Sequence, residues 1–511
     1  MFAKVLLLCV VPVCAGSGVL VVFPALEDGD SRLGTSLVDS LLGAGHEVTY
    51  VTAYPAKSTN PNLTYVDISS LLAGQDRLDL TSLPLSPRTP WQSLQLGTKT
   101  AERVLRHEAV QKLMEDPAVT FDAVIVNWFY SGLLSPLGEL FNCPLIWYSA
   151  GDVSWQSLQL MHEEPSPVYS LDPHFGMPGP LPLNVMDRMR QIWGQFYFGL
   201  LRSYQTDFVE LPIYQSVYMT PLQKRGRALP AYATLTYNGS LLLLGSLPPL
   251  ALPLPLPLSV KHVGGHHMQL PVKPLPKVYE AYMGTHGVIL VDLGPKIKES
   301  DLPKQVSGPL LKMFSQLEQA VLWRLEGTLD HVPNNVHLLE TVPHLSVLSH
   351  PKTFMYITDG SMSRLIEAMY CGVPVVGIPQ VEDQFLNADL VAARGFGVKV
   401  DFSHYLAPNL QAAIGEILGN YSYRINAMEA SKILKNDYMP TRTELLRQIQ
   451  QVISSSGAPH LRSPALQLSP LERFHLDILF LLAMIFWFLT KVFKVIQVHL
   501  RDYQYHDKKH K

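Results

Sequence analysis

The stretch Phe354–Asp401, FMYITDGSMSRLIEAMYCGVPVVGIPQVEDQFLNADLVAARGFGVKVD, decides the fold. Its apolar run Phe354–Ile357 reads as a strand and Thr358–Ser361 as a turn. The apolar spacing of Met362–Tyr370 predicts an amphipathic helix, which Gly372 closes because glycine takes the left-handed conformation of a C-cap. Pro374–Ile378 reads as a second buried strand. Asp383-Gln384 open a second helix, with Asp383 as its N-cap. Strand–turn–helix–strand–helix is the unit of an open parallel sheet. Such sheets bind ligands at the carboxyl ends of their strands, against helix N-termini whose free N–H groups attract anions.

The same alternation runs backward through the chain. Val19–Phe23, Glu47–Thr52, Ala123–Val126 and Leu145–Tyr148 read as strands, Arg32–Ala44 as a helix, and Trp91–Met114 as one long helix. Gly287–Gly294, Val321–Leu325 and Val336–Leu339 read as strands of a second sheet. The chain has 511 residues, enough for two domains with large cores, and its net charge of −3 gives no footprint for nucleic acid. The Leu/Pro alternation Ser246–Leu258 reads as extended polyproline chain, since successive prolines cannot sit inside a sheet. His262, His266 and His267 lack a cysteine or carboxylate cluster at ligand spacing, so the segment reads as a loop and no metal is expected.

Met1–Ala15 carries Lys4, an apolar run and small residues before a cleavage point after Ala15 or Gly16, the pattern of a signal peptide. Of the 4 cysteines, Cys143 and Cys371 lie outside it and read as buried free thiols. Asn62, Asn238 and Asn420 stand in N-glycosylation sequons, usable in the secretory lumen. Near the end Phe474–Thr490 is apolar except for His475 and Asp477; extended past Lys491 and Lys494 to Ile496 it is long enough to cross a membrane, and a basic tail follows. Lys508 and Lys509 stand fourth and third from the end, as in a dilysine retrieval signal of endoplasmic reticulum membrane proteins. The expected topology is a lumenal body, one crossing and a cytosolic tail.

Glu367-Ala368, Gly372-Val373-Pro374, Gly377-Ile378-Pro379, Asp383-Gln384, Asn387-Ala388 and Gly395 stand in the spacing of the UDP-glycosyltransferase signature. On these residues the chain resembles the membrane-bound animal UDP-glucuronosyl- and glucosyltransferases. Gly45–Thr49, Val263-Gly264-Gly265, Gly457–Arg462 and Leu471–Phe474 extend the resemblance over nearly the whole chain. It implies a GT-B fold: two doubly wound, Rossmann-like domains facing a cleft, plus one C-terminal transmembrane helix. The expected division is a signal peptide at 1–16, an acceptor-side domain at 17–270 and a UDP-sugar-side domain at 271–455. A return segment at 456–473, a membrane helix at 474–496 and a cytosolic tail at 497–511 complete it. The resemblance implies a UDP-sugar co-substrate, a small lipophilic acceptor, no resident cofactor, and homo- or hetero-oligomers with related transferases. It makes Met186–Pro221 the acceptor-side helices that lie near the membrane, and it makes His46 a structural residue at a helix-to-strand corner.

The departures fall on the chemistry. The family's general base, a histidine opening the first helix, is worth about 10²–10⁴-fold in rate. Its position here is Asp30, and its orienting carboxylate is replaced by Asn127. An unperturbed aspartate, with a pKa of about 3.9, is a poor base unless burial raises it. Two readings fit these residues: loss of catalytic demand, or Asp30 as a direct base held by Asn127. The phosphate-binding serine after the first strand of the second domain is replaced by Pro295, which loses a hydroxyl and an N–H. The uracil-stacking tryptophan is replaced by Thr341, and His344 stands where that motif ends in glutamine. The family's His-Gly-Gly turn and the helix start that wraps the pyrophosphate are occupied by Asp359, Gly360, Ser361, Ser363 and Arg364. A carboxylate 4 Å from a phosphate charge costs on the order of 4 kcal/mol at an effective dielectric of 20; Arg364 offsets part of this if it turns toward the phosphates. Glu367, which in the family holds ribose hydroxyls, and Asp383 and Gln384, which hold sugar hydroxyls, are retained. Scattered losses across one reaction favour a catalytically degenerate member. An inverting transferase working through Asp30 and Arg364, or a non-catalytic partner of active relatives, are the alternatives.

Overall fold

The structure is a computed structural model describing residues 16–24, 28–56, 58–74, 83–162, 166, 174, 183–294, 297, 302–473 and 475–509. Residues 1–15, where a signal peptide is expected, and Pro295 lie outside the described residues. Among the described residues, β1 (Gly18–Val22), β2 (Glu47–Thr52), β3 (Leu63–Asp67), β4 (Ala123–Asn127), β5 (Leu145–Ser149), β6 (Leu241–Leu244) and β7 (Val260–His262) form one parallel sheet ordered β3-β2-β1-β4-β5-β6-β7. A second parallel sheet, ordered β10-β9-β8-β11-β12-β13, is built from β8 (Val288–Asp292), β9 (Ala320–Arg324), β10 (Val336–Leu339), β11 (Thr353–Thr358), β12 (Val375–Gly377) and β13 (Gly397–Lys399).

The interior strands β4, β5, β6 and β8 are buried along their whole length. Helices cover both faces, so these strands are mainly apolar along their length rather than alternating, with Asn127, Ser149 and Asp292 at their ends. In each sheet the strand order reverses next to the first strand, between β1 and β4 and between β8 and β11. Crevices open at such reversals, outside the carboxyl ends. Asn127 ends β4 at the first reversal. Asp292 ends β8 beside Thr358 of β11 at the second, and the two are register partners.

Local structure departs from the sequence expectations in four places. Trp91–Met114 is two helices, Pro90–Leu105 and Glu108–Glu115. The break comes at His107, whose extended backbone and Nδ1 atom, accepting from Ala109 N, start the second helix. The Leu/Pro stretch is not extended throughout, because Leu250 N and Ala251 N both bond Leu247 O and coil its start into a turn. Asp383 occupies the N-cap position of Gln384–Ala393, but its side chain makes no capping bond. Cys143 and Cys371 are free thiols but half-buried rather than buried. The short strands β3, β6, β7 and β13 were not expected.

His46 is buried at its corner, and its Nδ1 accepts from Ser17 N at 3.2 Å. Met186–Pro221 forms the helices Val185–Tyr204 and Leu211–Lys224, with a π-helical turn Gln205–Glu210 between them. The π-turn aims Glu210 inward, where it accepts from Ser131 Oγ at 2.8 Å and Tyr232 Oη at 2.8 Å and pairs with Arg202. The opposite face leaves Trp193, Phe196, Leu200 and Phe208 exposed.

Residues 462–511 form a separate unit. It contains the helix Leu476–Lys509, whose stretch Leu476–Leu500 is long and apolar enough to cross a membrane.

The helix Met362–Cys371 ends at Gly372, which has φ +64°, and a Cβ there would stand 3.3 Å from Met428 Cα. Gly372→Ala is expected to cost about 1–2 kcal/mol, read as a lower denaturant midpoint with an unchanged slope.

Candidate functional site

The second sheet's reversal gathers charge. Asp292, fully buried at the end of β8, meets three side chains, and its Oδ1 also accepts from Gly294 N at 2.9 Å. Arg364 Nε donates to its Oδ2 at 3.1 Å, His344 Nε2 lies 2.7 Å from the same oxygen, and Arg324 Nη1 reaches Oδ1 at 3.4 Å. Arg364, on the inner face of the helix Met362–Cys371, also donates through Nη1 to Asp359 Oδ2 at 3.0 Å and to Ser361 Oγ at 2.9 Å. Asp359 uses its other oxygen to accept from Ser361 N at 3.0 Å. Its Oδ2 also accepts from Gln384 Nε2 at 3.0 Å. The backbone N–H that opens the helix, together with a guanidinium and an amide, therefore all point at the Asp359 carboxylate. Free N–H groups at a helix start attract an anion, and here the anion is the chain's own side chain.

The space is correspondingly taken. Gly294 follows β8 with φ +88°, and a Cβ on it would stand 2.7 Å from Asp359 Oδ2. Arg364 is 3% exposed and Asp359 3%. Burial alone would raise the Asp292 pKa, but Arg364, then His344 and Arg324, outweigh it and hold the carboxyl well below the usual carboxylate range. Burial disfavours the Arg364 charge, and the Asp292 and Asp359 carboxylates more than restore it.

The other residues singled out in the sequence lie around this network. Gly360 has φ +82°, and its carbonyl accepts from Asn387 Nδ2. Ser363 is half-buried on the helix's first turn. Gln384 Oε1 accepts from the backbone N–H groups of Gln380 and Val381 at 3.0 and 3.2 Å. Asp383 accepts from Asn387 Nδ2 at 3.0 Å, and a Cβ added to Gly151 of the first domain would stand 2.5 Å from its Oδ2. Burial pushes the Asp383 carboxyl up to about 6. Glu367 accepts from Arg32 Nη2 at 3.1 Å, with His267 Nε2 at 3.5 Å. Burial would raise Glu367, but Arg32 and then His267 bring it down to about 2. Thr341 is exposed, and its carbonyl accepts from Tyr279 Oη.

In the first domain Asn127 is buried at the end of β4. Asp30 lies in the first turns of the helix Asp28–Gly43, and its side chain lies outside the described residues. Asn62, Asn238 and Asn420 are exposed. His266 Nε2 lies 2.9 Å from Tyr148 Oη, and among the described residues no three His, Cys, Asp or Glu side chains gather as metal ligands.

The hub of the site, Asp292, was not singled out from sequence. A carboxylate closing an otherwise apolar strand, VILVD, is the signal that points to it. Arg364 sits at an inward helical position, and its register alone placed it among buried neighbours rather than toward solvent.

A sequence model described as "UDP-glucoronosyl and UDP-glucosyl transferase" matches residues 182–511. UDP-glucosyltransferase 2 of Dactylopius coccus is 26% identical over 92% of this chain and 90% of its own length. Human UDP-glucuronosyltransferase 2B7 is 34% identical over 44% of this chain, and that match spans 43% of the relative. Among solved structures, a UDP-glucosyltransferase from Polygonum tinctorium superposes with a TM-score of 0.56 at 15% identity, covering 86% of this chain and 99% of the other. The calicheamicin glycosyltransferase CalG4 gives 0.54 at 18% identity, covering 86% and 99%. The shared fold is GT-B.

Two outcomes follow from the network. Removing one partner of a buried ion pair strands the others and costs about 3–5 kcal/mol. Arg364→Ala is therefore expected to lower the unfolding free energy by that amount, and adding Asp292→Asn with Asp359→Asn is expected to recover much of it. Asp383 binds its proton more tightly folded, at about 6, than unfolded, where it starts from 3.8. Its contribution to stability is then full below pH 4 and is lost as pH rises to 6. Melting curves of wild type and Asp383→Asn should diverge across that window, the variant gaining, and run parallel above it.

Proposed function

The chain belongs to the UDP-glucuronosyl- and UDP-glucosyltransferase family, and we propose that it is a catalytically degenerate member whose donor site is filled by its own side chains. One observation carries this reading: Arg364 is locked between Asp292 and Asp359 at the helix start where family members hold the donor pyrophosphate. A diphosphate entering there meets the Asp359 carboxylate, while the arginine that would compensate is already spent on two buried anions. Opening the site means breaking a pair of charge-assisted bonds in a low-dielectric interior, which is expensive. The retained Glu367, Asp383 and Gln384 have partners within the fold, so their presence is explained without a sugar. The loss of the base histidine at Asp30 and of its acid at Asn127 points the same way.

On this reading the protein is a single-pass protein of the endoplasmic reticulum membrane, with a lumenal body and a cytosolic tail. It acts by binding lipophilic compounds or by pairing with active relatives. The apolar stretch Leu476–Leu500 and the sequence pattern of Met1–Ala15 support that placement. The runner-up, an inverting transferase moving glucose or glucuronic acid onto a small lipophilic hydroxyl compound, rests on the retained Glu367, Asp383 and Gln384.

Calorimetry with UDP, UDP-glucose and UDP-glucuronic acid on the full chain in detergent separates the two. The expected result is no binding up to millimolar nucleotide by a sample that melts cooperatively. Micromolar binding would overturn the degenerate reading, and Asp30→Ala would then report whether Asp30 is the base. For placement, the expected outcome is glycan at the exposed Asn62, Asn238 and Asn420, all removed by endoglycosidase H. Glycans resistant to that enzyme would contradict retention in the endoplasmic reticulum.

A further inference from the structure

Two carboxylates of the second domain meet arginines of the first. Glu367 takes Arg32 from the helix Asp28–Gly43 at 3.1 Å. Glu382, in the turn before the helix Gln384–Ala393, takes the guanidinium of Arg88 and accepts from Ser93 Oγ at 3.3 Å. Glu367 is buried and Glu382 half-buried, with side chains 5% and 11% exposed, whereas the arginines reach solvent at 42% and 30%. Glu382 is held at φ +46°, a conformation that costs a non-glycine residue on the order of 1 kcal/mol and persists where contacts impose it. The segment carrying Arg88 and Ser93 continues the attachment. Leu85 N donates to Phe402 O at 3.0 Å, and Leu83 and Leu85 pack against the core of the second sheet.

We infer that these contacts form a two-point latch that holds the cleft shut: one clasp at Arg32–Glu367, the other at Arg88–Glu382 with the strap 83–93 fastened beside it. The glutamates are shielded while their partners hold and gain water when they let go, so each clasp has a closed and an open arrangement. Arg32 and Arg88 are the accessible halves, and the latch is released from that side. Access to the cleft is thereby set by the first domain's arginines, whatever the cleft binds.

The amide of Leu85 reports the latch directly, since its hydrogen bond crosses between domains. Hydrogen exchange of the full chain in detergent is compared for wild type, Arg88→Met, Arg32→Met and the double variant. The expected result is faster exchange in the peptide covering 83–93 in each single variant and about tenfold or more in the double variant. Peptides of β1 and β8 are expected unchanged, which certifies the fold. The charge-swapped pair Arg88→Glu with Glu382→Arg is expected to return the strap toward the wild-type rate. Wild-type exchange at Leu85 in the double variant would overturn the latch, as would a strap that loosens only together with β1 and β8. The measurement uses no nucleotide, so its outcome is independent of whether the donor site binds.

Discussion

A charge taken out of water must find an opposite charge, and at the end of β8 that requirement shapes everything nearby. Asp292 sits where two parallel strands diverge, with no solvent to share its charge. Arg364, His344 and Arg324 converge on it, and Arg364 in turn fixes Asp359. Asp359 then organises the turn: it takes the N–H of Ser361 and the amide of Gln384, tying the starts of two helices to one carboxylate. The retained Gln384 thus works as a structural strut.

The same arithmetic bears on how such a site arises. Asp359 depends on Arg364 for its charge partner, whereas Arg364 without Asp359 still pairs with Asp292. Losing the arginine first therefore passes through a destabilised intermediate. Asn127 and Thr341 lie on other parts of the chain, at the end of β4 and before the helix His344–Leu348.

Much of this was legible in the chain. The parallel sheets were readable because their interior strands are short, largely apolar runs, and Gly372 and the Pro374–Ile378 run fixed the boundaries around the turn. What escaped was short or depended on distant partners. β6 is four leucines beside a Leu/Pro tract, and β7 and β13 are three residues each, too short to show a period. The break at His107 comes from a capping bond that helical apolar spacing does not reveal. In the site, the replaced residue types at Asp359 and Arg364 were visible, but not their destination. Arg364 read as a cation free to meet phosphate; its pairing with Asp292, 72 positions away, is a fact of three dimensions.

The chain also trades segments between its two halves. Leu83 and Leu85 lie against the second core, while Leu445, Ile449 and Val452 of the helix Thr441–Ser454 belong to the first. Neither half therefore completes its interior from a contiguous stretch. Cutting the chain between the sheets would leave an apolar wall bare on each fragment, each lacking pieces carried by the other. The two halves are thereby interlocked, each packing side chains that the other half of the chain supplies.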